Sequence, residues 1–158
     1  MVEAWGHPAA AIDLDQLHLN VDARWELPYD TRRNAMVLEQ ATQLAISLFE
    51  HGWRTVMMCG NSLFDPADTS PILATLCLMA EIYHITLTPQ LNTVLSRCAA
   101  SSSRDASRLR EDFQLHADKA HPGSARLDNT NMTAEQALAA LAGMVGGGAG
   151  RMHCSHHG

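Results

Sequence analysis

Residues 9–19 read AAAIDLDQLHL, an apolar run that ends in Asp13, Asp15 and His18. In a βα protein, carboxylates that close a strand stand at the mouth of the sheet, where substrates and metal ions collect. Solvated turn carboxylates are the alternative for the aspartates, and a packed or exposed ring is the alternative for His18. Arg32 and Arg33 open a helical stretch at the end where the macrodipole disfavours cations. Either an anion, such as a substrate carboxylate or phosphate, faces one of them, or they begin a solvated helix. Arg104, Arg108 and Arg110 border a Ser-rich segment, and Arg104 and Arg108 share a face at i and i+4. As a plain charged helix they would pair with Asp105, Glu111 and Asp112. His153, Cys154, His156 and His157 offer borderline and soft metal ligands. They lack the paired spacing of a structural zinc site, so disorder or adventitious binding is expected there and no metal is assigned.

The elements that must position these groups follow from periodicity. After the opening strand, DTRRNAMVLEQATQLAISLFEHG (30–52) has a helical rhythm, with Met36, Leu38, Leu44, Ala45, Leu48 and Phe49 on one face. Asp30 or Thr31 serves as N-cap and Gly52 as the stop. WRTVMMCG (53–60) is a continuous apolar run, the mark of a strand covered on both faces. DPADTSPILATLCLMA suits a helix entered through Pro66 or Pro71. EIYHITLT (81–88) is β-branched and aromatic, hence a strand, and Pro89 opens the helix PQLNTVLSRCA. A polar stretch then leads into a helix ending near Lys119. SARLDNTN reads as a last short strand, and Thr133 and Gln136 have capping-box spacing at the start of a final helix. GGGAGRMHCSHHG reads as a flexible Gly-rich end. Strands alternating with helices predict an α/β fold with a mainly parallel sheet.

The totals narrow the function classes. With 158 residues and 46% apolar composition, the chain suits a single domain with a real core. A net charge of -6 and a pI near 5.8 argue against a nucleic-acid-binding surface. The sequence shows neither a signal-peptide pattern nor a run long and apolar enough for a membrane span. The four cysteines (Cys59, Cys77, Cys98, Cys154) have no CxxC pair and read as reduced, buried thiols of a cytoplasmic protein. Lys119 is the only lysine, and no G-x-x-x-x-G-K-[ST] occurs in these residues.

In order, the pieces resemble the P-loop small-molecule kinases, the group that contains gluconate, shikimate and adenylylsulfate kinases. IDLDQLH is similar to the acidic end of that family's second strand, and LPYDTRRN to the segment after it. VMMCGNSLFDP resembles the third strand and its following loop, SRCAASSSRDASRLRED the Arg-rich lid (about 100–110), and RLDNTNMTAEQAL the terminal strand-turn-helix. The resemblance implies a three-layer α/β fold over residues 1–145 with a tail at 146–158. It also implies ATP, Mg²⁺ and phosphoryl transfer to a hydroxyl of a small molecule. Within it, Asp13 or Asp15 is the catalytic base or holds metal-bound water, and His18, Arg33, Asn61 and Asp65 contact substrate. Arg104, Arg108 and Arg110 would close over phosphates, and Asp128 and Asn129 would wall the adenine, although D-N-T is also an ordinary turn. Cys59-Gly60-Asn61 stands where the family often has a carboxylate.

The family's first strand, glycine-rich loop and helix have no counterpart in these residues. That strand lies mid-sheet in the family, between the third and fourth. The expectation is a chain without its phosphate cradle, binding ATP no better than about millimolar, inactive as given and self-associating through exposed sheet edges. A wrong start, a truncated gene and a decayed copy would each give this pattern. The other readings are a non-catalytic interaction module and weak metal binding through the His/Cys tail.

Overall fold

The computed structural model describes residues 6–21, 31–101, 106–118 and 121–153. These fall into two compact units, residues 6–82 with His153, and Tyr83–Met152. Each contains one pair of parallel strands with helices in the connections.

The first unit begins with β1 (Ala9–Asp13), which runs directly into α1 (Leu14–Val21). Ile12 and Leu14 are buried while Ala11 and Asp13 are exposed, the two-residue alternation of a strand with one covered face. Helix α2 (Thr31–Glu50) follows. Its end is a Schellman motif: Trp53 N–H donates to Leu48 O at 3.1 Å, Gly52 N–H donates to Phe49 O at 3.0 Å, and Gly52 has φ +88°. The chain then forms β2 (Thr55–Cys59), a short 3-10 turn (Asn61–Leu63) and α3 (Pro66–Leu76). Strands β1 and β2 pair in parallel, Ala9 opposite Thr55 through Asp13 opposite Cys59.

Two expectations about this unit need correction. The buried face of α2 is Asn34, Val37, Leu38, Ala41, Thr42 and Ala45, while Met36 and Leu44 are exposed. The phase of the stripe differs because Asn34 and Thr42 bury polar groups that find partners. Asn34 Nδ2 donates to Asp68 Oδ2 at 2.9 Å, and Thr42 Oγ1 donates to Leu38 O at 2.8 Å. Strand β2 is half-buried along Thr55–Met58 rather than covered on both faces. The core consists of Ile12, Leu14, Val37, Leu38, Ala41, Ala45, Ile72 and Leu76, so β1, α1, α2 and α3 enclose it.

The second unit contains β3 (Ile85–Leu87), α4 (Leu91–Ser101), α5 (Ala106–Asp118), β4 (Ala125–Leu127) and α6 (Ala134–Gly146). β3 and β4 pair in parallel, Ile85 opposite Ala125 and Leu87 opposite Leu127. The strand expected over 81–88 is therefore short, with Tyr83 bridged separately to Arg151. The capping box of α6 forms as its spacing implies, with Thr133 and Gln136 each bonding the other's backbone N–H. The glycines after α6, expected in a flexible end, make a turn that returns to β3. His84 N–H donates to Gly150 O at 2.8 Å. Gly150 has φ +72°, and a Cβ there would lie 2.5 Å from His84 O and 3.0 Å from Ala125 Cβ, so only glycine fits this approach.

A single four-stranded sheet does not form among the described residues. The strands make two separate two-stranded sheets, β1–β2 and β3–β4. The reduced-thiol expectation also fails for one residue: Cys77 is disulfide-bonded, whereas Cys59 and Cys98 are thiols. No helix among the described residues is long and apolar enough to cross a membrane.

Candidate functional site at the ends of β1 and β2

Parallel strands expose their carboxyl ends together, and here that end carries most of the chemistry of the first unit. Asp13 closes β1 beside Cys59, which closes β2. Asp13 Oδ1 accepts the Asp15 N–H at 3.0 Å, so the last residue of the strand caps the first turn of α1. That capping commits one oxygen of Asp13 and starts the helix at once. The immediate start places Asp15 and His18 on the first two turns, beside the strand ends.

The loop after β2 approaches from the other side. Gly60 (φ +151°) lies so close to α1 that a Cβ would sit 2.8 Å from Leu14 Cβ. This approach carries Ser62 to His18, and His18 Nε2 and Ser62 Oγ are 2.8 Å apart. Ser62 is buried and His18 half-buried. Burial pushes the His18 pKa below 6.5, the Arg33 charge pushes it the same way, and Asp15 opposes both. Desolvation, Asp13 and Asp15 together raise the Cys59 thiol, whose Sγ lies 3.7 Å from Ile12 O. Cys59 is therefore a protonated thiol at neutral pH.

The sequence-derived candidates separate into groups. Asp13, Asp15, His18 and Arg33 come together electrostatically at this end of the sheet. Asn61 opens the 3-10 turn and is exposed. Asp65 is the N-cap of α3 and accepts the Ala67 N–H at 3.0 Å. Arg104 and the Arg108 side chain lie outside the described residues, as do Cys154, His156 and His157, while Arg110 is exposed on α5. Ser62 was not among the candidates. Its signal in the sequence is its position two residues after the glycine that follows a strand.

In the second unit, Asp128 and Asn129 belong to the turn between β4 and α6. Asp128 Oδ1 accepts from both the Thr130 N–H and the Thr130 hydroxyl, and these bonds hold its carboxyl below the usual range. Arg97 fastens the same turn by donating to Asn129 O, Thr130 O and Met132 O at 3.0–3.2 Å. An open depression of about 490 Å³ lies there, lined by Asp128, Thr130, Asn131, Met132 and Gln136.

Among the described residues no three His, Cys, Asp or Glu side chains converge on a point that could hold an ion. The Asp128 carboxylate is already committed to Thr130. Neither a protein-family model nor any curated protein matches the chain.

Proposed function

We propose that the chain is the acceptor side of a P-loop-kinase-like α/β protein. It binds a small hydroxylated molecule at the carboxyl ends of β1 and β2. The observation that carries this reading is the meeting of Asp13, Asp15, His18 and Arg33 at the ends of two parallel strands. In open α/β sheets, ligands bind in that position. The carboxylates accept substrate hydroxyl protons, and Arg33 offers a counter-charge to an acid group. With Asp13 engaged as a cap, Asp15 is the better base. The parallel pairing within β1–β2 and within β3–β4 supports the same reading, because the family strands they resemble pair as neighbours too.

No phosphoryl step is assigned to the described residues. Mg-ATP is expected to give no saturable calorimetric isotherm tighter than about millimolar, on the order of -4 kcal/mol. The acceptor side is tested separately, by a thermal-shift screen of small sugars, polyols and hydroxy acids followed by titration into Asp15→Asn. A hit that weakens at least about tenfold in the variant supports the assignment. No hit, or equal affinity in the variant, rejects it.

A further inference from the structure

The acceptor-site reading leaves Ser62 without a role, although its geometry is the most specific in the first unit. Ser62 Oγ lies 2.8 Å from His18 Nε2, across 44 residues of sequence. The serine stands on a tight turn directly after a parallel strand, 7% exposed, and its partner is on the helix directly after the neighbouring strand. We propose that Ser62 and His18 form a nucleophile–base pair that cleaves small carboxylic esters.

A serine hydroxyl is a weak nucleophile until an adjacent base takes its proton, and the base must be within hydrogen-bond reach. The His18–Ser62 distance meets that requirement. The base must also be neutral at working pH. Burial and Arg33 keep the imidazole neutral, against the opposing charge of Asp15 on the same helix. Asp13 at the end of β1 and Cys59 at the end of β2 are further titratable groups at these strand ends. Rigidity comes from Gly60, whose backbone rests on the fully buried Leu14 and fixes where the turn can lie.

The reaction balances without a further reagent. Ser62 Oγ bonds to the ester carbonyl carbon as its proton passes to His18 Nε2. The carbon–alkoxy bond breaks, and the leaving alcohol takes that proton. Water then gives its proton to His18 Nε2 and its oxygen to the acyl carbon, the bond to Ser62 breaks, and Ser62 Oγ recovers the proton. The net change is ester plus water to acid plus alcohol.

The alternative is a Ser–His bond that only fastens α1 to the turn, and a chemical probe separates the two. The full chain is treated with diisopropyl fluorophosphate, which forms an O–P bond with an activated serine and releases fluoride, while the proton goes to His18. The expected result is one adduct, mapped to Ser62 by peptide mass spectrometry. Its rate should rise with pH to a plateau, with a midpoint below 6.5. Ser62→Ala should carry no adduct, and His18→Gln should label at least about 100-fold more slowly. 4-Nitrophenyl acetate hydrolysis should follow the same order. No adduct on the folded wild-type chain, labelling spread over other hydroxyls, or a rate unchanged in His18→Gln would overturn the assignment. If either variant does not fold, the wild-type pH profile decides: a rate without a midpoint below 6.5 rejects the pair.

Discussion

Replacing Gly60 by alanine tests whether the turn after β2 is held against α1. Two costs arise at this residue. Its φ of +151° and ψ of 163° lie in a region essentially reserved for glycine, and such backbone strain costs about 1–3 kcal/mol. The new Cβ would also meet Leu14 Cβ at 2.8 Å, Cγ at 3.3 Å and Cδ1 at 3.4 Å. Leu14 is fully buried at the start of α1 and cannot swing into solvent, so relief requires the turn or the helix to shift. Overpacking of this kind costs about 1–3 kcal/mol. Movement that relieves one cost partly relieves the other, which gives a combined loss of about 2–4 kcal/mol. For a chain of this size that corresponds to a fall in Tm of about 5–15 °C. Gly52→Ala is the control, because Gly52 has φ +88° but a Cβ there would have no neighbour within 4 Å. Its cost is the conformational part alone, about 1–2 kcal/mol. Urea unfolding followed by circular dichroism should therefore place Gly60→Ala below Gly52→Ala. Equal midpoints for the two variants would refute the close approach and the positioning of Ser62 that depends on it.

Three further outcomes are expected. Thr133→Ala removes the capping box of α6 and should lower stability by about 1 kcal/mol, with Thr133→Ser near wild type in the same urea titration. Asn34→Ala breaks the 2.9 Å bond to Asp68 from a residue 1% exposed and should cost about 2 kcal/mol, the range for hydrogen bonds to charged groups. For His18, the folded pKa lies below 6.5, so below that pH the unfolded chain binds more protons than the native one. The stability due to the neutral ring is whole above 6.5 and is lost as pH falls from there toward the folded pKa. Urea midpoints compared between about pH 7.5 and pH 5 should fall more for wild type than for His18→Gln; equal falls would show that His18 does not contribute.

The features legible in the sequence were those set by neighbours in the chain. Gly52 ends α2 and Thr133–Gln136 begin α6 because the groups they satisfy lie within a few residues. The phase of α2 was not legible in the same way. Met36 and Leu44 are apolar yet exposed, while Asn34 and Thr42 are polar yet buried. Asn34 donates to Asp68, which lies 34 residues away in α3. Ser62 was hidden for a related reason. Its meeting with His18 depends on the parallel register of β1 and β2 and on the contact of Gly60 with Leu14, neither of which is a local property.

The aspartates show why residue type alone could not pick out a site. Asp13 accepts from the N–H of Asp15, Asp65 from that of Ala67 and Asp128 from that of Thr130, the same i to i+2 bond each time. In each case the carboxylate serves its own backbone at the start of a helix or turn, which is what short acidic side chains do most readily. The resemblance makes Asp13 a base or a holder of metal-bound water, Asp65 a substrate contact and Asp128 part of the adenine wall. Asp15 differs. It lies inside the first turn of α1, where the N–H two residues on belongs to the helix, and its charge acts on His18 and Cys59 instead. An aspartate whose local backbone already supplies a donor is first a structural residue. One placed two residues later, with its field directed at an imidazole and a thiol, has its charge available to a ligand. By that criterion Asp15 and His18, together with Ser62, form the part of this chain where substitution should alter chemistry more than stability.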